Sequence, residues 1–374
     1  MVKVLIVDDS AFVRRSLSGI LEKDKDIQIV GTATNGEDAV DKAGVLDPDV
    51  ITMDVEMPKM NGLEALERIM ATNPCPVIMV SSLTSEGADV TLRALELGAL
   101  DYLPKLSSGS LPDMKLLEKE LSGKIKALAR RKAIMRLMFS RSKTSSALKP
   151  ASRIAGRGLT GHVPVTPAPP APARPVSSAD YHRAFEVVSI GVSTGGPPAV
   201  QKVLSALPAN FPVPILIAQH MPAAFTGPFA ARLNAQCEIA VKEAEPIERI
   251  KAGTVYICPG GKHLRLENRG GSLMAVVTEE PKEALYKPSA NVLMETTGIA
   301  VGRKALGVTL TGMGNDGLEG TKVLKEKGGW TIAQNEFSCV VYGMPKAIVD
   351  AKLADEIVDI NDMASTILAH FIRK

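Results

Sequence analysis

The chain has 374 residues, with 44 Lys and Arg against 41 Asp and Glu, a formal charge of +3, 45% hydrophobic residues and 4% aromatics. At roughly 100–200 residues per domain, this length predicts two or three domains with apolar content for a core in each. The charge is uneven: twelve Lys and Arg and no Asp or Glu lie between Leu121 and Ala179, leaving −9 on the remainder. The start, Met1-Val-Lys-Val-Leu-Ile-Val-Asp-Asp, meets acid too early for a secretory signal. No apolar run approaches the ~18 residues of a membrane span. Cys75, Cys237, Cys258 and Cys339 form no Cys-x-x-Cys pair, which argues against a zinc site and a secreted disulfide framework. A soluble, reduced, cytoplasmic protein is expected.

In chain order, the pattern predicts strands Val2–Val7, Ile27–Gly31, Val50–Met53, Val77–Val80 and Leu100–Leu103. Between them it predicts helices Phe12–Leu21, Glu37–Ala43, Gly62–Met70 and Ala88–Leu97. Alternation of this kind implies parallel βαβ units, hence an α/β, doubly wound (flavodoxin-like) five-stranded parallel sheet. A helix turning increasingly basic follows over 113–137. Then Pro164, Pro167, Pro169, Pro170, Pro172 and Pro175 crowd one stretch, which predicts an extended tether that cannot pack a core.

From Phe185 the α/β rhythm returns. Strands are expected at Glu186–Val192, Pro214–Ala218, Gly253–Cys258, Leu273–Thr278, Ala305–Thr311 and Trp330–Gln334, and helices at Pro197–Ala206, Phe225–Asn234, Ala290–Val301, Gly317–Lys327 and Asp362–Phe371. The expected division is 1–137, 138–180 as a basic, proline-rich linker, and 181–374 as a second α/β domain with a mostly parallel sheet.

Asp8 and Asp9 end the first strand and Asp54 the third. In a doubly wound sheet these strand ends meet at one edge. Three carboxylates that close call for a hard cation, Mg²⁺ by ligand type. Ser81 and Lys105, at the ends of strands four and five, suit the oxygens of a phosphoryl group on Asp54. The run Asp8-Asp9, Met53-Asp54-Val-Glu-Met-Pro-Lys-Met-Asn-Gly62, Val80-Ser81-Ser82 and Asp101-Tyr102-Leu-Pro-Lys105 resembles a response-regulator receiver domain. The resemblance implies Asp54 as phosphoacceptor, Asp8 and Asp9 as Mg²⁺ ligands, Ser81 and Tyr102 as a switch pair, and Lys105 on the phosphoryl group.

For an output, no helix-turn-helix or zinc-finger pattern appears, and the basic stretch has one aromatic, Phe139, so base stacking is not served. Nucleic acid is not expected as a partner. Gly191-Val-Ser193-Thr-Gly195 follows a strand and precedes a helix, as in a nucleophile elbow. The missing lysine excludes a P-loop. A serine nucleophile needs a base and an orienting acid. His220, after an apolar strand, is better placed than His263 in the turn Cys258-Pro-Gly-Gly-Lys-His263, and both stay candidates. Asp316, in Thr309-Leu-Thr-Gly-Met-Gly-Asn-Asp316-Gly, ends another strand. It also suits the N-cap of a helix from Gly317.

Ile190-Gly-Val-Ser193-Thr-Gly-Gly, Gln219-His220-Met-Pro222, Pro259-Gly-Gly-Lys-His263-Leu, Thr311-Gly-Met-Gly-Asn-Asp316-Gly and Val341-Tyr-Gly-Met-Pro345 resemble the chemotaxis methylesterase CheB family, in its order. The resemblance implies a phosphorylation-activated protein-glutamate methylesterase and glutamine deamidase. Ser193 would be the nucleophile, His220 the base, Asp316 its orienter, the Met313 N–H an oxyanion donor and Thr194 a neighbour of the histidine. It further implies chemoreceptors as substrate, a CheA-type histidine kinase as phosphodonor, Mg²⁺ in the receiver only, no membrane insertion and a monomer. Val192 stands where the family more often has alanine, and the linker is long for it.

Overall fold

The structure is a computed structural model that describes residues 1–81, 84–105, 111–136 and 185–371. The expected linker, 138–180, lies outside them. Strands β1 (Val2–Val7), β2 (Ile27–Ala33), β3 (Val50–Asp54), β4 (Val77–Ser81) and β5 (Asp101–Pro104) form one parallel sheet in the order β2-β1-β3-β4-β5. Every residue of β3 and β4 is buried, which is why these strands read as mostly apolar runs in sequence, without strict alternation.

Helices α1 (Ala11–Leu21), α2 (Gly36–Leu46), α3 (Gly62–Thr72) and α4 (Ser85–Glu96) start just after strand ends. Ser10, Asn35, Asn61 and Thr84 cap them, each side chain accepting a hydrogen bond from the N–H three residues on, worth about 1 kcal/mol apiece. Helix α3 packs so tightly behind β3 that a Cβ on Gly62 would lie 1.9 Å from the Asp54 carbonyl oxygen. Helix α5 (Leu111–Ala129) closes this half.

The second half is built on β6 (Val187–Val192), β7 (Ile215–Gln219), β8 (Ala240–Glu243), β10 (Thr254–Ile257), β13 (Ala305–Thr309), β14 (Trp330–Gln334) and β15 (Glu356–Val358). They form a seven-stranded parallel sheet in the order β15-β14-β13-β6-β7-β10-β8. The chain leaves β6 toward β7 and later returns to β13 on its other side. That makes the β6/β13 boundary a topological switch point, where a crevice opens at the carboxyl ends. Helices α6 (Gly196–Leu204), α7 (Ala223–Gln236), α8 (Ala290–Val301), α9 (Leu318–Glu326), α10 (Met344–Asp350) and α11 (Met363–Ala369) complete it.

One expectation changes. The segment expected as strand Leu273–Thr278 pairs antiparallel, outside the main sheet, in a three-stranded sheet of β11 (His263–Arg269), β12 (Ser272–Thr278) and β9 (Ile247–Arg249). Its turn is Gly270-Gly271, with φ of 59° and 85°, the backbone a two-residue hairpin needs.

The two halves pack together. The buried cluster of Leu121, Ile125 and Leu128 on α5 includes Val341 of the second half, and a Cβ on Gly123 would touch Met313 at 3.3 Å. Arg232 on α7 forks onto Glu96 of α4, with Nε at 2.6 Å, and Gln236 donates to the same carboxylate at 2.9 Å. Tyr102 stacks on Phe225 of α7, centroids 4.7 Å apart and planes at 9°.

Candidate active site

Ser193 follows β6 and is half-buried in a tight turn. Its N–H donates to the Thr311 carbonyl at 3.0 Å, and its carbonyl accepts from Gly196 N–H at 2.8 Å. Gly195 takes φ 73°, and a Cβ there would lie 2.4 Å from Val340, so glycine is required. Pro197 and Pro198 then open α6, as suits a first helical turn. Ser193 therefore sits at a helix N-terminus, where unpaired N–H groups favour developing negative charge.

His220 follows β7, beside β6. Its Nε2 lies 2.7 Å from Asp316 Oδ2, while its Nδ1 is buried without a partner. Asp316 also accepts from Ser289 Oγ at 2.9 Å, Ala290 N–H at 2.6 Å and Asn291 N–H at 3.1 Å. Burial pushes its carboxyl up, but the His220 hydrogen bond and charge and the two backbone N–H groups outweigh this and hold it below the ordinary range. The alternative role read from the sequence fails here: Gly317 caps α9 with no side-chain bond. Asp316 instead sits at the N-terminus of α8, whose position 27 residues upstream of it no local pattern reveals.

His263 is fully buried, its Nε2 donating to the Pro281 carbonyl at 3.2 Å and its Nδ1 accepting from Ser289 N–H at 3.3 Å. It props the residue that holds Asp316 and, among the described residues, makes no hydrogen bond to Ser193 or His220. The hydroxyl of Ser193 makes no hydrogen bond to His220 among the described residues, although both line one cavity. The Met313 N–H, facing no partner among the described residues, is free to donate. Thr194, implied as the histidine's neighbour, instead donates to Asp101 Oδ2 of the first half at 2.9 Å.

Gln219, the residue before His220, has a structural task that the motif alone does not reveal. It is 2% exposed, and its Nε2 donates to both the Ser193 carbonyl at 3.0 Å and the His220 carbonyl at 3.2 Å. One amide thus ties the two loops together. Its signal was visible only as a buried-strand polar residue next to a candidate base.

In the first half, one oxygen each from Asp8, Asp9 and Asp54 lie within 4.8 Å of one another. Lys105 Nζ stands 2.8 and 2.9 Å from the two Asp54 oxygens. Burial and the Asp54 charge push Asp8 up to about 6, against a bond from Ser10 N–H, and Asp8 Oδ2 is buried with no partner. Burial likewise raises Asp54, against the pull of Lys105. An orphaned buried carboxylate oxygen beside two more acids fits a hard divalent cation. Ser81 Oγ donates to the Gly87 carbonyl at 3.2 Å, and Tyr102 stacks on Phe225.

Family models described as CheB methylesterase and Response regulator receiver domain match residues 188–367 and 4–111. The protein-glutamate methylesterase/protein-glutamine glutaminase 1 of Oleidesulfovibrio alaskensis is 56% identical over 98% of this chain and 99% of its own. The chain belongs to the CheB methylesterase family. A second relative, protein-glutamate methylesterase/protein-glutamine glutaminase 2 of Nitratidesulfovibrio vulgaris, is 56% identical over 98% of this chain and 99% of its own. A solved structure, the Thermotoga maritima CheB methylesterase catalytic domain, is 37% identical over 50% of this chain and 99% of that one, at a TM-score of 0.49.

The CheB-type acid pocket carries a stability cost. Asp8 is raised in the folded chain, so its contribution is intact below the ordinary carboxylate range and is lost as pH rises from 3.8 through about 6. In EDTA at pH 7.5, Asp8→Asn is expected to raise the thermal midpoint, and the gain should shrink as the pH is lowered to 5. A midpoint at or below wild type at pH 7.5 would show that the buried charge is not strained.

Proposed function

We propose that this chain is a phosphorylation-activated protein-glutamate methylesterase and protein-glutamine glutaminase acting on chemoreceptors. Its units would be a receiver at 1–137, a linker at 138–180 and an esterase at 181–374. The observation that carries the reading is a cavity of about 1260 Å³ between the halves, lined by Ser193, His220 and Met313 on one side and Asp101, Tyr102 and Lys124 on the other. Nucleophile and base open onto the same space that the phosphorylation half overhangs.

In this reading Ser193 Oγ attacks the carbonyl carbon of the glutamyl γ-methyl ester and its proton passes to His220 Nδ1, the nitrogen that Asp316 leaves free. Asp316 fixes the ring through Nε2 and stabilises the imidazolium. The Met313 N–H meets the oxyanion. Collapse breaks the C–O bond, and methanol leaves with the proton returned by His220. Water, deprotonated by the same nitrogen, then cleaves the acyl-serine to give glutamate. On glutamine the leaving group is ammonia.

Asp8, Asp9 and Asp54 would hold Mg²⁺, whose charge offsets the phosphoryl oxygens during transfer to Asp54 from a CheA-type histidine kinase. Lys105 already contacts the acceptor and would hold the phosphoryl group. Ser81 and Tyr102, on adjacent strands β4 and β5, would respond to it. Rotation of Tyr102 away from Phe225 would unpack the interface beside Asp101 and Thr194, and so uncover Ser193. The esterase chemistry needs no cofactor in this scheme. Four free cysteines, three of them buried, support a reduced cytoplasmic setting, and no helix among the described residues is long and apolar enough to cross a membrane. We read the protein as a monomer.

Methanol release from membranes carrying methylated receptors tests this. The rate should rise with a small-molecule phosphodonor and Mg²⁺, and Asp54→Asn should abolish the rise while keeping the basal rate. Asp101→Ala removes the acceptor of Thr194, a charge-assisted bond of about 1.5–3 kcal/mol, so basal release should climb roughly tenfold without donor. A donor response that survives in Asp54→Asn would refute the switch. A basal rate in Asp101→Ala no higher than wild type would remove this contact from it.

A further inference from the structure

The strand β12 and helix α8 are joined by a segment whose end serves the site twice. Ser289, Ala290 and Asn291 hold Asp316. Three residues earlier, the ring of Tyr286 lies against the imidazole of His220, centroids 4.3 Å apart and planes at 13°. Tyr286 is half-buried and opens onto the cavity, next to Leu285, which is 73% exposed. A large aromatic at a cavity rim beside an exposed leucine is not filling a core. Its hydroxyl reaches across to the loop of the oxyanion donor, where a Cβ on Gly314 would lie 3.4 Å from it.

The geometry around His220 leaves one job open. Asp316 anchors one ring nitrogen at 2.7 Å, but a single hydrogen bond lets the ring pivot about that bond. The other nitrogen has no partner to stop the pivot. A flat ring stacked on the imidazole face blocks it, because any rotation out of the plane drives the two rings together. A tyrosine face is also the negative end of the ring quadrupole, so it favours an imidazolium over a neutral imidazole.

We propose that Tyr286 is a positioning residue for the base, its ring stacked on His220 so that the free nitrogen stays in the cavity with Ser193 and the cation formed there is stabilised. Residues 286–291 then form one segment that sets both the acid and the base. The kinetic part of this inference rests on the methylesterase reading, and the stacking part does not.

The test uses the full chain, activated with phosphodonor and Mg²⁺, as wild type, Tyr286→Phe and Tyr286→Leu, after circular dichroism shows all three folded. Phenylalanine keeps the ring and leucine removes it. In Tyr286→Leu, kcat for methanol release should fall roughly 3- to 30-fold with KM unchanged, and Tyr286→Phe should restore it to within about twofold. Proton NMR adds a readout independent of turnover. The His220 ring C–H resonance, assigned by its loss in His220→Gln, should be shifted upfield by the stacked ring in wild type and Tyr286→Phe and move downfield in Tyr286→Leu.

A wild-type kcat in Tyr286→Leu, or equal losses in both variants, would overturn the positioning role. So would a His220 resonance indifferent to leucine. If wild type releases no methanol while Ser193→Ala and wild type are alike in every assay, the methylesterase reading falls. The NMR contrast would then still decide whether Tyr286 sets the ring.

Discussion

Ser193→Ala is expected to lower methanol release from methylated receptors by about 10³-fold or more, with the fold and the phosphodonor response of the receiver half intact. The reasoning starts from the turn. Ser193 is held by its backbone, through Thr311 and Gly196, and its carbonyl is clamped by Gln219. None of these bonds uses the hydroxyl, so alanine leaves the elbow standing and removes only the oxygen proposed to attack. The thermal midpoint should therefore stay near wild type, which separates lost chemistry from lost structure. What survives is the oxyanion donor and the binding surface, which act without a nucleophile. Methanol release measured by gas chromatography over a long incubation reads the residual rate. A variant that keeps the full rate would remove Ser193 from the mechanism.

The two sites were legible in the sequence to different depths. Asp8, Asp9, Asp54 and Lys105 could be found because a parallel sheet reports its carboxyl ends as the residues that end apolar runs. The structure brings these four together as that rule implies. Ser193 and His220 were found the same way, at the ends of β6 and β7. The other partners of Asp316, beyond His220, were not, because Ser289, Ala290 and Asn291 open α8, distant in sequence and joined to it only by the fold. Local pattern offers Asp316 two roles, the acid behind the base and the cap of the helix it precedes. The crevice instead turned it toward a helix that starts with three donors aimed inward.

Tyr286 and Gln219 were missed for a related reason: each acts through a face or an amide rather than through a titrating group, and neither type stands out in a list of candidate bases. The hairpin β11–β12 was missed despite a Gly-Gly signal, because β11 carries charged residues on a half-exposed strand. Thr194 shows the limit of a resemblance. The resemblance implies it as a neighbour of the histidine and says nothing of its hydroxyl, which donates to Asp101, across the interface. A contact between halves depends on how they pack, which no pattern within one half records.

Asp316→Asn is expected to cost about 10⁴-fold in kcat, the loss seen when an orienting acid becomes an amide, and to cost stability as well. Four donors converge on this carboxylate: His220 Nε2–H, Ser289 O–H and the N–H groups of Ala290 and Asn291. A carboxylate accepts all four. An amide offers one oxygen and turns its NH₂ toward at least one donor, so a buried polar group goes unmade, at about 1–3 kcal/mol. If the NH₂ faces His220, the ring must flip tautomer to accept from it, which puts a proton on Nδ1 and removes the base.

The pH dependence separates the two losses. Asp316 is held below the ordinary carboxylate range, so its contribution to stability is present above that range and disappears as pH falls through its lowered value. The gap in thermal midpoint between wild type and Asp316→Asn should therefore be widest near neutrality and narrow in acid, while the kcat deficit at neutral pH remains. Equal midpoints at pH 7 would mean that the helix α8 donors are satisfied without the charge. A kcat within tenfold of wild type would mean that something other than Asp316 orients His220, and Tyr286, stacked on the same ring, would be the residue to examine next.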